Sequence, residues 1–331
     1  MPRTVLITGI TGFAGSHLAE RLVIAGASVH GIAHEDPPFP NLAAVADRVR
    51  VHRGNILDVD AVRAALDAAH PDAVVHLAAQ AVPTLAARDP ISAVRVNVLG
   101  TATLLAALDT HPDVRLVMAS SADVYGAPDS ELVDESAPLR PGNVYAATKV
   151  ASEALVREFG DRRHAATTVL RPANQIGPRQ HPGLAASAFA KQIAEAEAGT
   201  REPVVKHGAL DARRDFLDVR DMAGAYLFAT DLVDAGTAVY NVGSGRAVPV
   251  AEILGTLIGL ARVRVRAELD SDRMRSGEPT AFALDAAHFR ARTGWAPRID
   301  LRTSLADTLD YWRGQVKAEA GVGAPGRGAT A

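Results

Sequence analysis

The 331-residue chain contains no cysteine, which excludes disulfides and thiolate-bound metals outright. Its eleven histidines are scattered, without an HExxH pattern or carboxylates at ligand spacing, so no metal site is expected. Neither sign of charge is in excess: 35 Lys and Arg stand against 38 Asp and Glu, a formal net charge of −3. Without a global basic field, nucleic acid is not an expected partner. No apolar run is read as approaching the roughly 20 residues that span a bilayer. The opening MPRTVLITGI lacks the basic, apolar and cleavage regions of a secretory signal. A cytoplasmic protein with no membrane partner is therefore expected. Hydrophobic residues at 48% and charged residues at 22% are ordinary for a globular chain of this length.

What the chain does have is alternation. Short apolar runs read as buried strands at 4–8, 28–33, 48–54, 72–79, 114–120 and 164–172. Helical patterns fit between them, at 13–26 closing on Gly26, at 58–69, and along the stretch from Ile91 to Leu108. Strands alternating with helices imply right-handed βαβ crossovers, hence an α/β fold with a Rossmann-type, doubly wound parallel sheet. After Pro172 the rhythm loosens. Helices are predicted at 183–199 and within 216–232, a strand runs into a loop in AVYNVGSG, and VRVRAEL reads as a late edge strand. The expected division is a first domain over 1–172, to which segments from about 215–243 return, and a smaller mixed α/β domain over 173–316. The Gly/Ala/Pro-rich tail, 317–331, lacks periodicity and is predicted to be disordered.

Between the first strand and first helix sits TGITGFAG, with Gly9, Gly12, Phe13, Ala14 and Gly15. A strand turning sharply into a helix, with its backbone close to a pyrophosphate at the helix N-terminus, needs glycine for positive φ and for close approach. A dinucleotide site is expected there. Ile56 and Asp58 follow the third strand, where the Asp58 carboxylate could accept from an adenine amino group or cap the next helix. Leu77, Ala78 and Ala79 end the fourth strand with residues small enough to leave room for the cofactor, and the Asn97 amide could tie neighbouring backbone together. Arg171, at the end of the sixth strand, joins the expected cofactor contacts. The choice between NAD and NADP stays open. Ala33 and His34 occupy the decisive places after the second strand, with Glu35 and Asp36 one and two residues further on.

NVYAATK places Tyr145 and Lys149 four apart on one helix face. A phenol with a pKa near 10 is a poor acid–base at neutral pH, and an adjacent ammonium is expected to bring it down. Ser121, ending the fifth strand, could donate to the same substrate oxygen. Taken with TGITGFAG, SSADVYG, RPANQIGPRQ, RRDFLDVRD and the late GEP…TGW, in that order over residues 3 to 315, the chain resembles the extended short-chain dehydrogenase/reductase family, the NAD-dependent epimerase/dehydratases. The resemblance implies a nucleotide-sugar enzyme in which Ser121, Tyr145 and Lys149 move a proton and a hydride at a sugar carbon, Tyr145 and Lys149 also touching NAD(P)(H). It implies substrate contacts at Ser121, Asn174 and Arg179, a diphosphate grip by Arg214 and Arg275, and Glu278 near the nucleotide ribose. It also implies a homodimer built on the Tyr145-bearing helix and the one before it.

Within the family, FAKQIAEAEAG and GALDARRDFLDVRD are most similar to the GDP-mannose branch, which holds both 4,6-dehydratases and 4-keto-6-deoxy-mannose reductases. Dehydratases of that branch carry Thr-x-Glu where this chain has Ser121, Ala122 and Asp123. There the glutamate takes the C5 proton. An aspartate is one methylene shorter, and a misplacement of about 1 Å can cost roughly a hundredfold in rate. Asp123 is therefore expected among the catalytic residues as a pocket-shaping group rather than a carbon base. The reading that follows is reduction of GDP-4-keto-6-deoxy-D-mannose at C4 to GDP-D-rhamnose. The alternatives are a 4,6-dehydratase or 4-epimerase with internally recycled cofactor, and a cofactor-sensing regulator without chemistry.

Overall fold

The computed structural model describes residues 3–273 and 281–322. The chain opens with β1 (Thr4–Thr8), α1 (Phe13–Ile24), β2 (Ser28–Ala33), β3 (Val49–Arg53), α2 (Val59–Ala69) and β4 (Ala73–His76). It continues through α3 (Pro83–Arg88), α4 (Pro90–Val94), α5 (Gly100–Leu108), β5 (Arg115–Ala119), β6 (Leu132–Val133) and α6 (Val144–Arg163). Next come β7 (Ala166–Pro172), β8 (Asn174–Ile176), α7 (Ala185–Glu197), β9 (Val204–His207), β10 (Arg213–Asp218), α8 (Val219–Ala229) and β11 (Gly236–Val242). The last are β12 (Ala247–Pro249), α9 (Val250–Gly259), β13 (Arg266–Leu269), β14 (Ala281–Leu284), α10 (Ala287–Thr293) and α11 (Leu301–Val322).

Seven strands form one parallel sheet in the order β11-β7-β5-β4-β1-β2-β3. Strand side chains alternate between faces, and here both faces are apolar because helices cover both. Val5, Ile7, Val75 and Val117 enter one core, while Leu6, Val74, Leu116 and Met118 enter the other. The order reverses across the β1/β4 boundary, which opens a crevice at the carboxyl ends of those strands. The fold is a Rossmann-type α/β sheet, as the alternation predicts, and β11 joins it by pairing residue for residue with β7.

A second sheet, β12-β10-β14-β6 with β8 added to β10, and the pair β13-β9 make up the smaller part. Its core brings α7, α9 and α11 together through Phe189, Ile193, Ile253, Leu257, Leu305, Leu309 and Trp312. Two expectations need correction. The tail does not begin at 317: α11 runs to Val322, since Lys317, Ala318, Glu319 and Ala320 are good helix formers that extend it. The stretch Pro90–Leu108, 19 residues, is by length and composition apolar enough to cross a membrane, contrary to the reading that no such run exists. Half of its most apolar window is buried in this fold. It packs against α2 and α6, broken midway by a π-helical turn at Arg95–Leu99.

Candidate active site

The glycine turn is built to admit something close. Gly9 has φ +72°, and a Cβ there would lie 2.9 Å from the Ala78 backbone; one on Gly15 would lie 2.2 Å from the Gly9 carbonyl oxygen. Gly12 is the N-cap of α1 and offers no side-chain cap, which leaves amide donors at the N-terminus of this 12-residue helix for an anion. Phe13 and Ala14 form its first turn. The carboxyl ends of β1 and β4 are tied together here: Thr8 Oγ1 accepts from the Ala78 amide at 3.2 Å and bonds His76 Nδ1 at 2.7 Å. Leu77 donates its amide to the Thr8 carbonyl, and Ala79 follows in the same turn out of the sheet. This cradle fits the pyrophosphate of a dinucleotide, which these residues would hold.

Around it, Ile56 lies under Gly100, where a Cβ would sit 3.1 Å from its Cγ2. Asp58 caps α2, accepting from the amides of Asp60 and Ala61 at 3.0 and 3.2 Å. Asn97 is buried and ties the loop after β4 to α6: its Oδ1 accepts from the Gln80 amide at 2.7 Å, and its Nδ2 donates to Thr148 Oγ1 at 2.8 Å. His34 is exposed, with Nδ1 3.1 Å from Glu35 Oε2.

The candidate catalytic set converges where β5 ends against α6. Asn143 caps α6 by accepting from the Ala146 amide at 2.9 Å, which fixes the helix start just before Tyr145. Tyr145 and Lys149 then lie one turn apart, both buried, with Nζ 5.9 Å from the ring centroid. Lys149 Nζ donates to the Ala119 carbonyl at 2.8 Å. Burial pulls the lysine down to about 8, against the opposing pull of Glu153. Ser121 caps the short turn Ala122–Tyr125 by accepting from the Asp123 amide, and its hydroxyl offers the phenol a hydrogen bond. In the free protein, without an oxidised nicotinamide beside it, the Tyr145 phenol is not lowered. Burial and then the Asp123 carboxylate push the phenol above its ordinary value, and the Ser121 hydrogen bond only partly offsets them.

Beneath this set lies a buried network. Glu153, one turn beyond Lys149, pairs with Arg171 Nη2 at 2.7 Å and accepts from the Ser120 hydroxyl. Arg171 Nη1 donates to the Tyr125 hydroxyl at 2.8 Å, which in turn donates to Asn241 Oδ1 at 2.7 Å. The Arg171 guanidinium is thus a core ion pair rather than a cofactor ligand. A buried cation must be matched where it stands, and Glu153 matches it.

The substrate side is less gathered. Asn174, on β8, donates Nδ2 to the Asp215 carbonyl at 3.3 Å. Arg179 does not take the expected substrate-facing role: its guanidinium pairs with Glu20 and bonds Ser16 Oγ at 3.2 Å, both on α1. Arg214 sits on β10 in register with Phe282, at the strand that follows the Arg275 and Glu278 segment. Arg275 and Glu278 themselves lie outside the described residues. Three groups escaped the sequence reading. The Tyr226 hydroxyl and Gln175 Oε1 are buried side by side near the site, and burial pushes the Tyr226 phenol above its ordinary value, with Gln175 opposing it. Nothing local marks them. Glu153 carried a signal, since it continues the Tyr145–Lys149 face at the next i+4 position.

With this geometry in hand, comparison with known proteins is informative. The profile of the GDP-mannose 4,6 dehydratase family matches residues 6–308. The GDP-6-deoxy-D-mannose reductase of Pseudomonas aeruginosa is 34% identical over 96% of this chain and all of its own length. Among solved structures, RMD from Pseudomonas aeruginosa complexed with NADPH aligns with a TM-score of 0.80 at 31% identity, over 94% of this chain and 99% of that one. The UDP-glucose 4-epimerase of Thermus thermophilus in complex with NAD aligns with a TM-score of 0.84 at 29% identity, over the same shares of each chain.

Proposed function

Because this chain belongs to the GDP-mannose 4,6 dehydratase family, and so is an NAD(P)-dependent enzyme of nucleotide-sugar chemistry, we propose that it is a reductase acting on GDP-4-keto-6-deoxy-D-mannose at C4 to give GDP-D-rhamnose. The observation that carries this is Asp123, which stands two residues after Ser121 where dehydratases of the branch hold a glutamate and is one methylene too short to copy that carbon base. Burial, and then the Asp123 charge, raise the Tyr145 phenol in the free protein, and a reduction needs a proton donor at the sugar oxygen. When bound, the reduced nicotinamide supplies a hydride to the carbonyl carbon. Ser121 polarises that carbonyl, Tyr145 gives its proton to the oxygen as negative charge develops, and Lys149 balances the phenolate left behind. Asn174 and Arg214, with Arg275 and Glu278, are the residues we assign to the nucleotide diphosphate and ribose.

A dehydratase remains the second reading, because Asp123 is itself a carboxylate in the place where such enzymes hold their base. Absorbance at 340 nm separates the two. Loss of NADPH or NADH absorbance with the 4-keto substrate, and no loss of water from GDP-mannose with catalytic NAD(P)⁺, is the expected result; the reverse pattern makes Asp123 the base. Asp123→Asn is expected to keep reductase turnover within roughly tenfold, the cost of one charged hydrogen bond, and to lower the pH at which activity falls as the phenol ionises. A base would instead lose two or more orders of magnitude, as general-base removal costs about 10²–10⁴.

We also assign a homodimer. Ile91, Val94 and Leu99 are 74%, 48% and 51% exposed on the run that precedes α6. Apolar surface of this kind favours covering, and a two-fold pairing of this face would cover it with the same patch of a second copy.

A further inference from the structure

The rim of the cofactor cradle carries a carboxylate that its distance along the chain disguises. Glu35 stands two residues beyond the end of β2, yet its side chain folds back onto the glycine turn and accepts from the Thr11 hydroxyl. Thr11 is itself pinned, since Asn41 Nδ2 donates to its carbonyl at 2.9 Å. The Glu35 carboxylate is therefore oriented over the turn rather than free in solvent. Although burial alone would raise it, the Thr11 hydroxyl, backbone amides and neighbouring His34 hold it below the usual glutamate value, so it is ionised at neutral pH.

Arg53, at the end of β3 and in register with Ala33, is 2.8 Å from Asp36 and matched by it. His34 faces Glu35 itself. Two carboxylates against one guanidinium leave the rim net negative. A dinucleotide whose pyrophosphate rests on the N-terminus of α1 brings its adenosine ribose to the end of β2. A carboxylate there accepts from ribose hydroxyls. A 2′-phosphate, carrying about −1.5 to −2 charges, would meet net like charge, the Arg53 guanidinium being already paired with Asp36.

We propose that Glu35, held in place by Thr11, grips the adenosine ribose hydroxyls and makes this enzyme select NAD(H) over NADP(H). The inference rests on the glycine turn as the pyrophosphate cradle and is independent of which sugar is reduced. Calorimetric titration of NADH and NADPH into the full chain, without substrate, tests it. Wild-type protein is expected to bind NADH at least roughly tenfold tighter than NADPH, the worth of one charge-assisted hydrogen bond. Glu35→Gln should bring the two constants within a few-fold of each other, and Glu35→Arg should favour NADPH. Glu35 is partly exposed, so neither change threatens the core. NADPH binding as tightly as NADH in wild type, or a ratio unmoved by Glu35→Gln, overturns the selection while leaving the cradle intact. Binding of neither dinucleotide removes the cradle and the selection together.

Discussion

Tyr145 and Lys149 are buried in a free protein where neither sits at its ordinary pKa, and each makes a measurable demand. Tyr145→Phe removes the proton donor but not the ring that packs at the site. Turnover is expected to fall by about 10²–10⁴ while NADH affinity stays within a few-fold by titration. Lys149 is lowered to about 8 in the folded chain from 10.5. Between those values the unfolded chain binds the more protons, so the stability of the free protein rises with pH across that window. Relative to Lys149→Met, wild type should gain up to about 3 kcal/mol from pH 8 to pH 10.5 in urea unfolding. A difference that stays flat with pH would mean that the lysine is solvated. The meeting of Ser121, Tyr145 and Lys149 was legible in the sequence because it follows from local spacing on one strand end and one helix. Arg171 was misread for the opposite reason: its partner, Glu153, lies on another element, and only the fold brings the two charges within 2.7 Å.

The turn from β1 into α1 carries the cofactor reading, and its glycines are required by contact as well as by conformation. A Cβ at Gly15 would press 2.2 Å from the Gly9 carbonyl oxygen, a backbone atom that cannot swing aside. Gly15→Ala is expected to displace α1 from the turn, cost about 1–3 kcal/mol of stability as overpacking does, and weaken NADH binding by more than it weakens folding. Titration calorimetry beside thermal unfolding checks both. The strands were readable because the centre of a strand covered on both faces must be apolar, as Val5, Leu6 and Ile7 of β1 are. The C-terminal end of α11 was not readable as helix, since its alanine and glycine content resembles the aperiodic tail beyond it, while its anchorage comes from Trp312 and Val316 packing into the α7/α9 core.

Taken as a whole, the molecule joins an open parallel sheet to a small mixed unit and leaves apolar side chains along Pro90–Leu108 open to water. Static light scattering at micromolar concentration should return twice the 34.6 kDa chain mass. Val94→Asp combined with Leu99→Asp should return the monomer, because charge on a buried isologous patch is opposed by its own copy. A wild-type monomer would refute the pairing.

Periodicity, glycine placement and the Tyr145–Lys149 spacing were enough to specify the parallel sheet, the glycine turn and the juxtaposition of Tyr145 with Lys149, since each depends on neighbours within about one turn or one strand. Pairings between distant segments depended on folding: Glu153 with Arg171, Arg179 with Glu20, and Thr11 with Glu35. The same is true of the protonated state of Tyr145, which follows from burial and from the Asp123 charge beside it. A side chain's type is local, but its partner and the water around it are properties of the packed molecule.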